Sequence, residues 1–236
     1  MAGGTVSSII KCVIKKPYVT SLVVNGETKT NQHDVTLSFE KEILLLRTIA
    51  PHDHIVNFFG VLPSNEIVIE YVSDKNLYTI FDDNIIISDS TKIKWFGQIL
   101  SAIVHIHHHE FAHGDISPGN ILITDDDDVK LCDFGRSTTK NQRIYPSTHP
   151  FMSPELMNNK TVDGKRCDSY ALGILLVCLE MNKEIVLSYD DVSEGKRPSE
   201  LSDIKLFKHV IHGYLADESN RVLPSMDQLI LVEERM

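Results

Sequence analysis

A chain of 236 residues, 42% of them apolar, suits one domain or two small lobes sharing a cleft. Its formal charge of −10 excludes the basic footprint on which binding to nucleic acid or an anionic membrane depends. Its four cysteines, Cys12, Cys132, Cys167 and Cys178, form no C-x-x-C pair and read as reduced, packed thiols, not as a disulfide framework.

The start, Met1-Ala2-Gly3-Gly4, lacks the charged residues and apolar core of a secretory signal, and Gly does not follow Met directly as myristoylation requires. Ile9 to Lys16 and Val19 to Val24 are rich in β-branched residues and read as strands, with Asn25-Gly26 as a hairpin turn. Asp34 to Ile49 reads as a helix, with Val35, Leu37, Phe39, Ile43, Leu46 and Ile49 on an approximately helical repeat. Asn57 to Leu62 and Glu66 to Val72 read as strands joined by Pro63-Ser64-Asn65.

Beyond residue 76 the pattern turns helical. Ser90 to Glu110 is a long periodic segment with Trp95, Ile99, Ala102, Ile103 and Ile106 along one stripe. Ile121 to Ile123 and Val129 to Cys132 are short strands around the acidic run Asp125 to Asp128, which reads as a solvated turn because it lacks the Gly and terminal Glu of a calcium loop. Tyr170 to Met181 reads as a buried helix, and its apolar run to Leu179 is too short to span a bilayer. Asp203 to Tyr214 and Met226 to Glu234 are modest amphipaths. Strands first and helices later predict an α+β fold. The expected location is cytoplasmic, with the nucleus as the alternative.

The chemistry is concentrated in His113-Gly114-Asp115-Ile116-Ser117-Pro118-Gly119-Asn120 and in Asp133-Phe134-Gly135, whose Asp lies thirteen residues beyond Asn120. One carboxylate to take a hydroxyl's proton and two hard oxygen ligands for Mg²⁺ are what phosphoryl transfer from ATP requires. On these residues the segment 34–236 resembles a eukaryotic-type protein kinase of the Ser/Thr class. That resemblance implies a two-lobed kinase-like fold, with a reduced strand-rich lobe over 1–72 containing one helix at 34–49. A helical lobe over 73–236 would carry the catalytic loop 113–120 and an activation segment 133–155.

It further implies Asp115 as catalytic base and Asn120 and Asp133 as Mg²⁺ ligands. Lys15 and Glu42 would form an ATP-binding pair, with Ile69 as gatekeeper and the backbone of Glu70 to Val72 against the adenine. Ser147 to Glu155 resembles G-T-x-x-Y-M-A-P-E, with Glu155 paired to Arg221, and Asp168 resembles the aspartate that props the catalytic loop; these three are structural roles. Thr148 resembles the threonine of Ser/Thr-specific kinases. Implied cofactors are ATP and Mg²⁺. The implied partners are a protein substrate and a further protein covering the reduced lobe.

The pattern breaks in three places. No G-x-G-x-x-G loop exists, with only Gly3 and Gly4 near its place. Cys12-Val13-Ile14-Lys15 resembles V-A-I-K, but Lys15 precedes Glu42 by twenty-seven residues, implying an inserted hairpin; threading Leu22-Val23-Val24-Asn25 there, with Asn25 seventeen residues before Glu42, supplies no lysine. Gly114 and Ser117 occupy positions where the family usually carries Arg and Lys. His105, His107, His108 and His109 read as the close of a helix, His107 matching a structural histidine, and not as a zinc site. Thr138, Thr139, Tyr145 and Ser147 are candidate phosphorylation positions. The leading expectation is a protein kinase. A pseudokinase binding module and a small-molecule phosphotransferase remain as alternatives, the latter because His-Gly-Asp-x-x-Pro-Gly-Asn also resembles aminoglycoside and choline phosphotransferases.

Overall fold

The computed structural model describes residues 10–19, 21–24, 27–139, 147–158 and 162–234. Strands β1 (Cys12–Lys15), β4 (Phe58–Val61) and β5 (Ile67–Glu70) form an antiparallel sheet in the order β1-β5-β4. Between β1 and the first helix, β2 (Ser21–Val24) and β3 (Glu27–Thr30) pair as a separate hairpin, Val24 opposite Glu27. Its predicted Asn25-Gly26 turn and the glycines Gly3 and Gly4 lie outside the described residues, as does Tyr145. Helix α1 (Gln32–Ile49) buries Leu45, Leu46 and Ile49 and turns Glu42 inward at 2% exposure.

The rest is helical. After α2 (Leu77–Asp82), α3 (Asp89–His108) starts where Ser88 Oγ accepts the Thr91 amide, and its predicted stripe from Trp95 to Ile106 is buried throughout. Helix α5 (Gly164–Met181) lies in the core, with every residue from Cys167 to Leu179 buried. It begins six residues before the predicted Tyr170, because Asp163 caps the Lys165 amide and admits a polar first turn. It ends at Asn182 in a left-handed conformation, φ 51°. Short elements α4 (Pro154–Met157), α6 (Tyr189–Ser193), α7 (Lys208–Tyr214) and α8 (Asp227–Glu233) complete it.

The helix expected from Asp203 begins only at Lys208. The Glu180 carboxylate of α5 accepts the amides of Lys205, Leu206 (2.9 Å) and Phe207 (3.0 Å), which turns those N–H groups away from a helical ladder. A three-strand sheet with one helix, followed by a mostly helical part, is the kinase-like α+β fold. No helix among the described residues is long and apolar enough to cross a membrane.

Two two-stranded pairings set the functional loops. Strands β6 (Phe111–Ala112) and β9 (Thr138–Thr139) join the two ends of the catalytic region. Strands β7 (Ile121–Ile123) and β8 (Val129–Leu131) form a hairpin, Ile121 opposite Leu131. Its tip is not wholly solvated: Asp128 accepts from Gln98 Nε2 (2.6 Å) and lies 3.0 Å from Lys94 Nζ, so α3 anchors the turn.

Candidate active site

The β7–β8 hairpin explains the thirteen-residue spacing. It folds the chain back so that Asn120 and Asp133 flank its open end, and the Cys132 amide donates to the Asn120 carbonyl at 3.0 Å. Asp133 sits in the left-handed region at φ 60°, uncommon for a residue with a side chain and least costly for Asp or Asn. Its carboxylate is 48% exposed and turned toward β1.

There it meets Lys15. The ammonium donates to both Glu42 oxygens at 2.9 and 2.8 Å and to Asp133 Oδ1 at 2.6 Å. One cation thus joins the sheet, α1 and the loop after β8. Burial alone would lower the Lys15 pKa, but Glu42 and Asp133 outweigh it and hold it above the ordinary 10.5. Burial pushes Asp133 up, and Lys15 outweighs this and holds its carboxyl below 3.8. Burial dominates at Glu42 and raises it above 4.5. Among the described residues Lys15 is the cation brought to Glu42; Asn25, of the other threading, lies outside them. On α1, Ser38 lies one turn before Glu42 and donates to the Gly135 carbonyl at 2.6 Å, a second tie between helix and Asp-Phe-Gly.

The 113–120 loop hangs from α5. Asp168, 1% exposed, accepts the His113 amide (2.7 Å), the Gly114 amide (2.9 Å) and His107 Nε2 (2.8 Å). A buried carboxylate must be matched in this way, and the matching fixes the loop backbone. Asp115 then projects with its carboxylate divided between two sets of partners. Oδ1 accepts the amide and the hydroxyl of Thr148, both at 2.8 Å, whereas Oδ2 lies 3.4 Å from Asn120 Nδ2 and 3.6 Å from Arg136 Nε. Asn120 Nδ2 also donates to the Asp115 carbonyl at 2.7 Å.

Gly114 has φ 79°, and a Cβ placed there would lie 2.5 Å from the Arg136 carbonyl oxygen. The position expected to hold arginine therefore has no room for any side chain. Gly114→Ala should lower the melting temperature by about 5 °C or more, from left-handed strain plus the backbone clash, measured by calorimetry.

The strand entering the predicted adenine segment is β5. The Glu70 amide donates to the Asn57 carbonyl (2.8 Å), and its carboxylate accepts from Asn57 Nδ2 and Lys130 Nζ, each at 2.8 Å. The Glu70 side chain thereby braces β5 against Lys130 at the β7–β8 hairpin. The Val72 backbone makes no hydrogen bond among the described residues, and Ile69 packs against the core from β5.

Farther out, Glu155 and Arg221 form a buried pair, at 5% and 3% exposure, with Nη2 to Oε2 at 3.3 Å and Nη1 to Oε1 as its second contact. Of the histidines, His107 binds Asp168, while the rings of His105 and His109 lie 4.6 Å apart at a 55° tilt, and His105 meets His52 of the preceding loop at 4.6 Å. Burial lowers the His52 pKa to about 4, helped by the neighbouring His105 and His54.

Sequence reasoning did not assign Ser38 or Arg136 to the site. Ser38 had a signal in its four-residue spacing from Glu42; Arg136 had none beyond following Asp-Phe-Gly.

The sequence matches the family model for the protein kinase domain over residues 2–230. Among similar proteins is the serine/threonine-protein kinase kin-29 of Caenorhabditis elegans, 29% identical over 150 residues, covering 61% of this chain and 18% of that protein. The serine/threonine-protein kinase GRIK2 of Arabidopsis thaliana is 30% identical over 151 residues, covering 59% of this chain and 37% of that one. The carbon catabolite-derepressing protein kinase of Candida glabrata is 29% identical over 167 residues, covering 68% and 26%. The alignments thus span less than two-fifths of each relative's length.

Proposed function

The chain belongs to the protein kinase family, and on that premise we propose that it transfers the γ-phosphate of ATP to Ser or Thr hydroxyls of protein substrates, with Mg²⁺. The observation that carries the reading is the convergence of Lys15, Glu42 and Asp133 beside Asp115 and Asn120, from four separate stretches of chain. The residues fit the implied nucleotide and metal. Asp133 presents a half-exposed carboxylate, and the Asn120 amide nitrogen is engaged by Asp115, so an oxygen from each is available to a hard cation. When bound, Mg·ATP supplies the phosphoryl group and neutralises its developing charge.

In this reading Asp115 takes the proton of the incoming hydroxyl. Thr148 holds Oδ1, which orients the carboxylate and leaves Oδ2 as the basic atom. Lys15, kept in place by Glu42, holds the triphosphate. The Val72 backbone, without an internal partner among the described residues, is available to the adenine edge. The Ser/Thr preference draws on Thr148 and on the printed names of the relatives. The division into parts at residue 72, a further protein on the strand-rich part and a cytoplasmic location belong to the same proposal.

Radiolabelled transfer from ATP with Mg²⁺ to generic protein acceptors tests it. Lys15→Met should reduce transfer by roughly 10²-fold or more and Asp115→Asn by a similar factor, each with an unchanged melting temperature within a few degrees. No transfer from folded wild-type protein would favour the binding-module reading, which the missing G-x-G-x-x-G motif supports.

A further inference from the structure

Transfer of a phosphoryl group into a cleft that already holds Asp115 and Asp133 brings negative charge to negative charge, so the cleft needs cations aimed at the transferring group. Lys15, assigned above to the triphosphate, already offsets Glu42 and Asp133 at 2.6–2.9 Å. Ser117, in the loop itself, is neutral and buried. Arg136 is the other cation in contact with these carboxylates among the described residues, its Nε 3.6 Å from Asp115 Oδ2. That separation is an ion pair without a close hydrogen bond. Its Nη1 and Nη2 donate to no group among the described residues, and the side chain remains 45% exposed. A planar fork of unengaged donors beside the proposed base is suited to bidentate contact with phosphate oxygens.

The backbone on either side of Arg136 is tied down. Gly135 O accepts from Ser38 Oγ (2.6 Å), Ser137 Oγ donates to the His113 carbonyl (3.0 Å), and Thr138 pairs with Ala112 across β6–β9. The Arg136 carbonyl occupies the space that a side chain at position 114 would need. The change to glycine in the loop and the placement of Arg136 are therefore one geometric arrangement. Arg136 also lines a cavity of about 760 Å³ with Lys15, Lys16, Ser38, Gly135 and Ser147.

We infer that Arg136 is the phosphate-sensing cation of this cleft, contacting the terminal phosphate of a nucleoside triphosphate where the catalytic loop itself supplies no cation. The inference rests on the nucleotide reading of the site, and its test separates the two. Affinities for ATP and ADP are measured calorimetrically with Mg²⁺ for the wild type, Arg136→Ala and Arg136→Lys. The wild type should favour ATP over ADP by about ten- to a hundredfold, the scale of one or two charge-assisted contacts. Arg136→Ala should lose that preference with its ADP affinity and melting temperature unchanged, and Arg136→Lys should keep part of it. An unaltered ATP/ADP ratio in Arg136→Ala overturns the inference, as does a wild type without preference. Loss of the ratio in Arg136→Ala, together with no phosphate transfer by the wild type, upholds the arginine's role and removes the activity. Transfer by the wild type with an unaltered ratio in Arg136→Ala removes the arginine's role alone.

Discussion

Asp133→Ala should reduce Mg²⁺-dependent phosphate transfer by roughly 10²- to 10³-fold, the range seen when a preorganised group at developing charge is deleted. The half-exposed carboxylate is the proposed metal ligand and the second partner of Lys15. Its removal leaves Lys15 with Glu42 alone, so the ammonium stays near α1 while the metal loses its carboxylate. Alanine at φ 60° adds strain of about 1–2 kcal/mol, which could lower activity through misfolding. Asp133→Asn separates the two effects, because asparagine tolerates the left-handed backbone but brings no charge. Equal loss in both variants, with a normal melting temperature for Asn, assigns the effect to chemistry. Retained transfer in either variant would sink the assignment of Asp133 as the metal ligand.

The second large effect concerns stability. Arg221→Ala should destabilise the fold by about 3–5 kcal/mol, because it leaves the Glu155 carboxylate buried without its partner. For a chain of this length that corresponds to a fall of roughly 6–20 °C in melting temperature. The pair also sets an acid limit. Burial pushes Glu155 up, but Arg221 outweighs it and holds the carboxyl below its ordinary 4.5. A folded value below the unfolded one means that stability is fully present above pH 4.5 and lost as pH falls through the depressed value. Glu155→Gln should therefore show a shallower loss of melting temperature on acidification than the wild type. An equal slope would place the acid sensitivity elsewhere.

Much of the site could be read in the sequence because its parts are local. His113 to Asn120 is one loop, and two β-rich triplets around an acidic turn are enough to bring Asp133 back to it. The stripe of α3 was equally legible, since a periodic apolar face has one way to be buried. What sequence reasoning could not separate was Lys15 from the threading through Asn25. The sequence leaned to Lys15 without deciding it, because the pairing of β1 with β5, Lys15 opposite Ile67, is a non-local fact. The late start of α7 was hidden for a similar reason, since the competing acceptor, Glu180, lies twenty-five residues before Lys205. Arg136 escaped because its importance comes from a carbonyl meeting a glycine, which leaves no mark on either residue's neighbours.

The hairpin of β2 and β3 bears on how the site tolerates change. Lys15 closes one chain loop of 27 residues to Glu42 and another of 118 to Asp133. Closure entropy grows only with the logarithm of loop length, so the longer loop costs about 1.3 kcal/mol more than the shorter, and doubling either adds about 0.6 kcal/mol. Residues 21–30 therefore sit where added chain is cheap in entropy while the ammonium's reach to both carboxylates is unchanged. This is the stretch in which a kinase of this construction can accept an insert and keep its chemistry.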